Sequence, residues 1–502
     1  MKLATAAEMR QLDNLAITKA NIPSTTLMTN AAAHIAALAK EVMGENDHAL
    51  IFCGSGNNGG DGIAAAVALL KSGYQVRVYL VTDRAALSAD AREMARRLEA
   101  LGGILETFDP ENSHCIPDNP IGVIIDAIFG IGLNTEVQGA PQKAVDLMNA
   151  LPHPVISVDI ASGIEADTGR VLGTAVQADH TVTFTLPKIG NYVGQGILYA
   201  GEVKVVDIGV PEEFIYDMPA KTYLSTANHF TFLARPRDMH KGDAGKLLLI
   251  GGSVGYTGAL TLAAKAALRT GAGLVFMGVP AEIYPIVAAQ NSEAMPFPLP
   301  NTDGKLNEQA LPLILERLSD IDALLIGPGM GQSPALDALV CDIIRAAPEI
   351  PIILDADGLN AVSRHIDVLD EARACLTLTP HDGEFTRLGG DLSHGDRLKS
   401  ARDFAAHHTC CLVLKGPGTI TAYPSGDAYV NTTGNPGMAT GGSGDVLAGM
   451  IAALYGQDLP SAPFIAAWVH GRAGDLAAAN LGEYSMLPSD LLDYLPEVLK
   501  QL

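Results

Sequence analysis

An aspartate that directly follows a glycine-rich turn has the clearest chemical potential in this sequence. In the segment ATGGSGDVLAG, residues 439–449, Asp445 precedes the apolar run VLAGMIAALYG. Backbone amides of Gly442, Ser443 and Gly444 at the start of a helix would bind an anion, and the adjacent carboxylate would accept a proton from a hydroxyl. This combination is typical of phosphoryl transfer, and the alternative is an aspartate that merely caps the helix.

A second glycine-rich segment, LIFCGSGNNGGDG in residues 50–62, adds polar side chains to a phosphate-binding pattern. Gly54, Gly56 and Gly59 fit the GxGxxG spacing of dinucleotide-binding turns between a strand and a helix. Asp61 would repel a phosphate, so it is expected to face a cation, to face a ribose hydroxyl or to cap the helix. The segment therefore predicts a ligand site whose chemistry is not limited to phosphate.

Polar residues also follow two later apolar runs. Asp126 ends the run VIID, and Asp159 and Ser162 stand in VISVDIAS. Because the carboxyl ends of strands in a doubly wound sheet line one crevice, these residues and Asn58 are expected to converge there. Their oxygens suit an alkali or alkaline-earth ion better than a transition metal, although each residue could instead cap the helix or turn that follows it.

These segments belong to two series in which short apolar strands alternate with helical stretches. The first series runs from ALIFC to HTVTFT, and the second runs from KLLLIGG to CLVLKG. Such alternation predicts an α/β fold with parallel sheets covered on both faces. A proline-containing segment breaks the pattern near residues 211–225, so we predict two domains, residues 1–215 and residues 224–502.

The composition restricts the partners and the compartment. The 56 acidic residues outnumber the 33 basic ones, and the formal net charge of -23 disfavours binding to nucleic acid or to an anionic membrane. Six cysteines without CxxC spacing fit a reducing cytoplasm, and no apolar run is long enough to span a bilayer. We predict a cytoplasmic homo-oligomer that binds small molecules.

The first series resembles the N-terminal domain of the YjeF family. The segments GSGNNGGDG, DAIFGIGL, VDIASGIEADTG and TVTFTLPKIG carry the resemblance, which spans most of the first 215 residues. It implies a Rossmann-like fold, NAD(P)H-hydrate epimerase activity and a potassium ion held by Asn58, Asp126 and Ser162. Where the family usually reads LMENAG, this chain reads LMTNAA, so no site residue is assigned to that early helix.

The resemblance also implies which residues surround the hydrated dinucleotide, with Asp159 near the damaged nicotinamide. Lys188 in PKIG is the one base-like side chain among these turns, so it joins Asp159 as a catalytic candidate; a solvated lysine is the alternative. The residues expected at the substrate are Asn57, Asn58, Gly59, Gly60, Asp61, Gly130, Ile131, Gly132, Leu133, Asn134, Thr135, Glu136 and Asp159.

The second series brings further loops to strand ends. The segment LKGPGTIT supplies Lys415 and a turn that could seat a nucleotide, and TPHDGEF supplies His381 and Glu384. IGGSVGYTGA and IGPGMG add two more glycine loops. The glycine turn followed by Asp445 resembles the arrangement of the ribokinase-like fold, and several such loops at one sheet edge make a mere capping role for Asp445 less favourable.

These segments, with LDADGLN and GNPGMATGGSGDVLAG, are similar to the C-terminal YjeF domain over nearly all of residues 224–502. The resemblance implies an ADP-dependent NAD(P)H-hydrate dehydratase in which Asp445 is the base and Mg²⁺ bridges the phosphates. The residues implied at the hydrate are Ala259, Gly329, Met330, Gly331, His381 and Asp445. Those implied at the AMP part are Lys415, Gly416, Pro417, Gly418, Thr419 and Gly444.

The two resemblances together imply repair of hydrated nicotinamide cofactors, NADHX and NADPHX. The first domain would interconvert the R and S epimers, and the second would dehydrate the S epimer with ADP, giving AMP and phosphate. A small-molecule kinase with a fused ligand-sensing domain is one alternative, and it would release a stable phosphorylated product. A non-catalytic nucleotide sensor or scaffold is another, although it could dispense with Asp445.

Overall fold

The computed structural model describes residues 1–111, 121–229 and 235–502, and the chain divides into two compact units. Unit 1 is Met1–Thr222 and unit 2 is Tyr223–Leu502. Each unit is built around a mainly parallel sheet with helices, so the predicted two-domain α/β fold is confirmed. Within the described ranges, no helix is both long enough and apolar enough to cross a membrane.

The described residues of unit 1 form a seven-stranded sheet in which every neighbouring pair is parallel. Its strands are β1 (His48–Cys53), β2 (Gln75–Leu80), β3 (Leu105–Thr107), β4 (Ile121–Ala127), β5 (Val155–Val158), β6 (His180–Phe184) and β7 (Glu202–Val206). They lie in the order β3-β2-β1-β4-β5-β6-β7. This is the order of doubly wound nucleotide-binding folds, in which the ligand crevice opens where the winding reverses, here between β1 and β4.

Seven α-helices in the described part of unit 1 accompany this sheet. They are α1 (Ala6–Thr18), α2 (Ser24–Met43), α3 (Asn57–Lys71), α4 (Ala89–Ala100), α5 (Ala140–Ala150), α6 (Gly196–Tyr199) and α7 (Glu212–Asp217). Buried alanines of α2 and α3 join the core around β1 and β4, whose apolar strands are covered on both faces. A capping box fixes the start of α1, because Thr5 and Glu8 each bond the other's backbone amide.

The described residues of unit 2 form a ten-stranded sheet. The strands are β8 (Thr222–Ser225), β9 (Lys246–Ile250), β10 (Leu274–Pro280), β11 (Met295–Leu299), β14 (Ala323–Ile326), β15 (Ile352–Leu354), β16 (Leu376–Leu378), β17 (Cys411–Leu414), β18 (Ile420–Ala422) and β19 (Ala428–Asn431), while β12 (Asn301–Thr302) and β13 (Lys305–Leu306) pair separately. The order is β11-β10-β9-β14-β15-β16-β17-β18-β19-β8, and the pairs from β11 to β17 are parallel. The loops that follow β9, β14, β15, β16 and β17 therefore emerge at one sheet edge.

The helices of unit 2 are α8 (Thr257–Arg269), α9 (Tyr284–Gln290), α10 (Leu311–Leu318), α11 (Pro334–Ala346), α12 (Asp357–Ser363), α13 (Val368–Glu371), α14 (Asp382–Arg387), α15 (Arg397–His407), α16 (Ser443–Gly456), α17 (Ala462–Leu481) and α18 (Pro488–Lys500). Helix α16 is apolar around nearly its whole circumference and belongs to the main core cluster with α8 and α17. This packing fixes the position of α16, whose amino end lies at the site described below.

Candidate functional site

A cavity of about 650 Å³ opens at the carboxyl ends of β1, β4 and β5 in unit 1. This is the place where a doubly wound sheet binds its ligand. The predicted residues that line it are Asn57, Asn58, Asp61, Gly130, Ile131, Gly132, Leu133, Asn134, Thr135, Asp159 and Lys188. The structure therefore gathers residues that are up to 131 positions apart in the sequence around one space.

Three of the residues predicted at this substrate site do not line the cavity. Gly59 and Gly60 are buried, and Glu136 is exposed beyond the cavity. A Cβ on Gly59 would lie 1.9 Å from the carbonyl oxygen of Gly54, so this glycine serves close packing of the backbone. Helix α3 also begins at Asn57, after the N-cap Gly56, so the NNGGD segment forms the first turns of a helix and Asp61 is not its cap.

Lys188 and Asp159 form a buried ion pair in the wall of this cavity. The Lys188 Nζ lies 2.5 Å from Asp159 Oδ1, and only 1% of the lysine side chain is exposed, which rules out the solvated alternative. Lys188 also donates to the Thr183 hydroxyl and to the Phe184 carbonyl, both at 3.1 Å. Asp159 has a φ of 70°, a strained value for a non-glycine residue that often marks a functional position.

Two further carboxyl groups, those of Asp13 and Asp61, line the same cavity. Neither makes a hydrogen bond or an ion pair with any residue in the described ranges. Burial raises the pKa of Asp13 to about 6; the nearby Lys188 lowers it and Asp159 raises it. Burial, followed by the neighbouring charges of Asp159 and Asp13, raises the pKa of Asp61 well above its usual value.

Sequence reasoning missed the contribution of the first two helices. Asp13, Met9 and Arg10 of α1 line the cavity, as do Leu27 and Met28 of α2. The spacing of Met9 and Asp13 by four residues places both on one helix face, and that spacing is the only signal in the sequence that links Asp13 to the apolar face.

The residues predicted to hold potassium lie around the loop after β4. Asp126 is fully buried, and its carboxylate accepts hydrogen bonds from the Ser162 hydroxyl at 2.5 Å, the Ser162 amide at 2.8 Å, the Ser157 hydroxyl at 2.8 Å and the Ile128 amide at 3.2 Å. Burial raises the pKa of Asp126 in spite of these bonds. The Asn58 side chain contacts the position of Gly130, and its buried amide nitrogen has no hydrogen-bond partner among the described residues.

In unit 2, Lys415 and Asp355 form an ion pair between two strand-end loops. The Lys415 Nζ lies 2.9 Å from Asp355 Oδ1, and Glu384 Oε2 lies 3.8 Å from the same nitrogen. Asp355 is buried and also accepts a 2.7 Å hydrogen bond from Thr379. Burial alone would lower the pKa of Lys415, but the carboxylates of Asp355 and Glu384 outweigh it, and the pKa is raised.

Asp445 lies in the first turn of α16, beside this ion pair. Burial raises the pKa of Asp445 to about 7; the negative charges of Asp355 and Asp357 raise it further, and Lys415 opposes them. A Cβ on Gly444 would lie only 3.3 Å from the Lys415 Nζ, so the ammonium group lies at the amino end of α16. A carboxyl group with this pKa can accept a proton near neutral pH.

Only some of the backbone amides predicted to bind an anion before Asp445 are free to do so. The Ser443 amide donates to the Thr440 carbonyl at 3.2 Å, so it is already engaged in the preceding turn. The Ser443 hydroxyl lies 3.4 Å from His470 Nε2, and burial lowers the pKa of that histidine to about 4. His470 is therefore neutral at neutral pH, and it contacts Ser443 in the first turn of α16.

His381 has a structural role in the described structure. Its Nδ1 accepts hydrogen bonds from the Gly383 and Glu384 amides at 3.0 and 3.3 Å, which caps α14. The His381 amide in turn donates to Glu384 Oε2 at 2.9 Å. The side chain is 56% exposed, so its Nε2 face remains accessible.

The remaining predicted residues of unit 2 lie on the neighbouring loops. A Cβ on Gly329 would lie 3.1 Å from the Ala259 Cβ, which places the loop after β14 against the start of α8. The Gly331 amide donates to Asp357 Oδ2 at 2.8 Å. Met330 is 1% exposed, so this residue is buried in the described structure. Asp355 and Asp357, in the LDADG segment, are charged residues that were not assigned a role from the sequence.

Comparison with known proteins links both units to described families. Residues 247–497 match the sequence model of a family described as NAD(P)H-hydrate dehydratase, and residues 24–190 match that of the YjeF-related protein N-terminus. The resemblance to the YjeF family is thereby confirmed.

Two full-length relatives and one solved structure extend this result. The bifunctional NAD(P)H-hydrate repair enzymes Nnr of Moorella thermoacetica and Thermofilum pendens are 42% and 39% identical to this chain; each alignment covers 100% of this chain and 97% of the relative. A ribokinase-like superfamily protein from Enterococcus faecalis V583 is 26% identical, with a TM-score of 0.50, and the match covers 56% of this chain and 96% of that one. The ribokinase-like fold of unit 2 is confirmed.

Proposed function

Because the chain belongs to the family of bifunctional NAD(P)H-hydrate repair enzymes, we propose that it repairs hydrated nicotinamide dinucleotides in two steps, one in each unit. Unit 1 interconverts the R and S epimers of NADHX and NADPHX. Unit 2 dehydrates the S epimer at the expense of ADP and releases AMP and phosphate.

The epimerisation follows from the chemistry of the hydrate. Water has added across a ring double bond, and the hydroxyl stands on the carbon beside the ring nitrogen. The nitrogen lone pair can expel that hydroxyl and leave a planar cation, which water can then attack from either face. The Asp159 carboxylate, fixed by its 2.5 Å ion pair with Lys188, would stabilise the cation and accept a proton from the attacking water.

The substrate would lie along the loop after β4 and the start of α3. Asn57 and Asn58 supply polar groups at the amino end of that helix, where the backbone favours a pyrophosphate. The backbone of residues 130–135 forms the other wall. These contacts would hold the nicotinamide end of the molecule towards Asp159.

A potassium ion is the group that the family implies for unit 1. The amide, carboxylate and hydroxyl oxygens of Asn58, Asp126 and Ser162 fit an alkali cation, and the unpartnered Asn58 amide could turn its oxygen to an ion without losing a hydrogen bond. The Asp126 oxygens would have to be shared with the donors that they already accept. A bound ion would supply positive charge beside the substrate loop and fix that loop in place.

In unit 2, Asp445 would accept the proton of the hydrate hydroxyl as that oxygen attacks the terminal phosphoryl group of ADP. The Lys415 ammonium and the amino end of α16 stabilise the charge on the moving phosphoryl. Phosphate then leaves, a ring proton is lost and the double bond forms again. No group of three acidic, histidine or cysteine side chains within the described ranges could hold a metal ion, so Mg²⁺ is expected to arrive with the phosphates of ADP and to neutralise their charge.

One structural parallel carries this proposal. Each unit places a lysine–aspartate ion pair at the carboxyl end of its own parallel sheet: Lys188 with Asp159 in unit 1, and Lys415 with Asp355 in unit 2. Two such sites suit two separate reactions on one cofactor. The homo-oligomer and the cytoplasmic location remain predictions, which sedimentation equilibrium and cell fractionation would test.

The test uses the full chain with a mixture of hydrated NADH epimers and either ADP or ATP. We expect ADP-dependent recovery of NADH with release of AMP and phosphate, and consumption of both epimers. Asp159→Ala should slow exchange of the epimers while dehydration of the S epimer continues. A stable phosphorylated product would instead identify a small-molecule kinase, and binding without turnover would identify a sensor.

A further inference from the structure

Asp13 lies on helix α1 and lines the cavity of unit 1, which is the proposed epimerase site. No residue of α1 has a role in the reaction proposed above. Asp13 is on the same face of α1 as Met9 and Ile17, which also line the cavity. Asp159 follows β5, and Asp61 lies on α3. The cavity is therefore lined by carboxyl groups from three separate elements.

The Asp13 carboxyl group has no partner that would explain its position. It makes no hydrogen bond and no ion pair with the residues in ranges 1–111, 121–229 and 235–502, although it lies close enough to Lys188 and Asp159 to interact with their charges. A partly buried carboxyl group without a partner destabilises the fold. Such a group in a cavity wall is better explained by contact with a ligand than by packing.

The proposed reaction needs two proton-transfer groups. Inversion at one carbon removes a hydroxyl from one face of the ring and adds water to the other face. A fixed group on one side can serve only one of these events, because its reach is limited to hydrogen-bond distance. Asp159, held by Lys188 and by the strained backbone, is such a fixed group.

We propose that Asp13 is the second acid–base group of the epimerase site and that it acts on the ring face opposite to Asp159. The proposal rests on the epimerase function proposed for unit 1. In one direction, protonated Asp13 donates its proton as the carbon–oxygen bond breaks; the electron pair leaves with oxygen, water is released, and the ring nitrogen lone pair forms the cationic double bond.

Addition of water to the cation completes the epimerisation. A water molecule attacks the other face, the new carbon–oxygen bond forms, the electron pair of the double bond returns to nitrogen, and Asp159 takes the proton of that water. The reverse direction exchanges the two roles. One proton therefore lies on Asp13 before the reaction and on Asp159 after it. Exchange with solvent returns a proton to Asp13 before the next turnover.

The electrostatic surroundings are consistent with this role. The charged groups that face Asp13 are Lys188 and Asp159 beside the sheet and Asp61 on α3. With a pKa raised by burial to about 6, Asp13 can both donate and accept a proton near neutral pH.

The experiment compares the full-length wild-type protein with Asp13→Asn. Pure S hydrate is incubated without ADP in ¹⁸O-labelled water, and both the R epimer and the label in the hydroxyl are followed. We expect kcat to fall by at least about 100-fold, with KM changed by less than about threefold. The wild-type kcat/KM should decline above about pH 6, where the shared proton is lost, and that decline should be absent in the residual activity of Asp13→Asn.

Two further variants make the result decisive. Asp13→Glu keeps the acid and should retain part of the activity and the pH decline, which a purely structural role would not require. Glu41→Gln removes an exposed carboxylate from α2 and should leave epimerisation unchanged. ADP-dependent dehydration of the S epimer by unit 2 should be the same in all variants.

Near-wild-type exchange in Asp13→Asn, or a loss of activity with an unaltered pH profile, would overturn the role of Asp13. Failure of the wild-type protein to exchange the epimers at all would instead overturn the epimerase function on which the inference rests.

Discussion

Lys415 and Asp355 form a 2.9 Å ion pair that joins the loop after β15 to the loop after β17, directly beside the amino end of α16. Asp355 is 2% exposed, so its charge depends on Lys415 and on the Thr379 hydroxyl for compensation. The same lysine would contact the phosphates of a bound nucleotide. The same ion pair therefore affects both the stability of unit 2 and its binding of a nucleotide. Substitutions at the two residues can separate these effects.

Replacing Lys415 by Met should destabilise unit 2. The buried Asp355 carboxylate would lose its counter-ion, and breaking a buried pair in this way typically costs 3–5 kcal/mol; we expect about 3 kcal/mol because the lysine side chain is 21% exposed. The single tryptophan, Trp468 on α17, lies in unit 2, so its fluorescence during urea denaturation reports this unit.

The double variant Lys415→Met with Asp355→Asn provides the matched comparison. It removes both charges and should recover most of the lost stability, while nucleotide binding stays impaired. If the single and double variants unfold at the same urea concentration, then the ion pair does not carry the stability that we assign to it.

Dehydration by unit 2 should rise with pH through the titration of Asp445. Burial raises the pKa of this group to about 7, so the proton-accepting form is scarce at pH 6 and predominant at about pH 8. The rate at saturating ADP and S hydrate should follow that titration. A rate independent of pH across this range would contradict the assignment of Asp445 as the base.

The variant Asp445→Asn checks the same assignment without a pH change. It should lower the dehydration rate by about 100-fold or more. It should not destabilise unit 2 above pH 7, because the charge that it removes is partly buried and lies near Asp355 and Asp357. Epimerisation by unit 1 should be unaffected, which serves as the internal control.

The sequence predicted those parts of the fold and site that are encoded locally. Apolar strands followed by glycine-rich turns predicted two parallel sheets, and the position of Asp445 after GGSG predicted the start of α16. Asp159 was a candidate because it follows a strand end, and Lys188 was a candidate because it is the one base-like side chain among the turns of the first series. Their 2.5 Å ion pair, however, is a long-range contact that no local pattern encodes.

Other features depended on packing between distant segments. The NNGGD segment reads as a turn because glycine disfavours helices, yet α3 begins at Asn57, since Gly59 packs against the Gly54 carbonyl. Asp13 stands 146 positions before Asp159, and only the placement of α1 brings it to the cavity. Asp355 directly follows β15, but no local pattern in the sequence indicates its burial against Lys415.

Gly56 and Gly59, at the start of α3, should differ sharply in how well each tolerates replacement by alanine. A Cβ on Gly59 would lie 1.9 Å from the Gly54 carbonyl oxygen, so Gly59→Ala must displace backbone and should prevent unit 1 from folding normally. A Cβ on Gly56 would have no packing neighbour within 4 Å among the described residues beyond its own chain neighbours, and Gly56→Ala should fold like the wild type. Hydrogen exchange of β1 and α3 distinguishes the two, and equal protection in both variants would refute the packing role.

The Lys188–Asp159 pair should support both the structure and the activity of unit 1. Lys188→Met leaves the Asp159 carboxylate, 7% exposed and in a strained conformation, without its counter-ion, so we expect a loss of about 3 kcal/mol in the stability of this unit and a large drop in epimer exchange. Hydrogen exchange of β5 and β6 measures the local stability. Lys143→Met is the matched control, because that lysine is 53% exposed and its ion pair with Glu111 should contribute less than about 1 kcal/mol. Similar effects of the two substitutions would show that burial of Lys188 does not strengthen its interaction with Asp159.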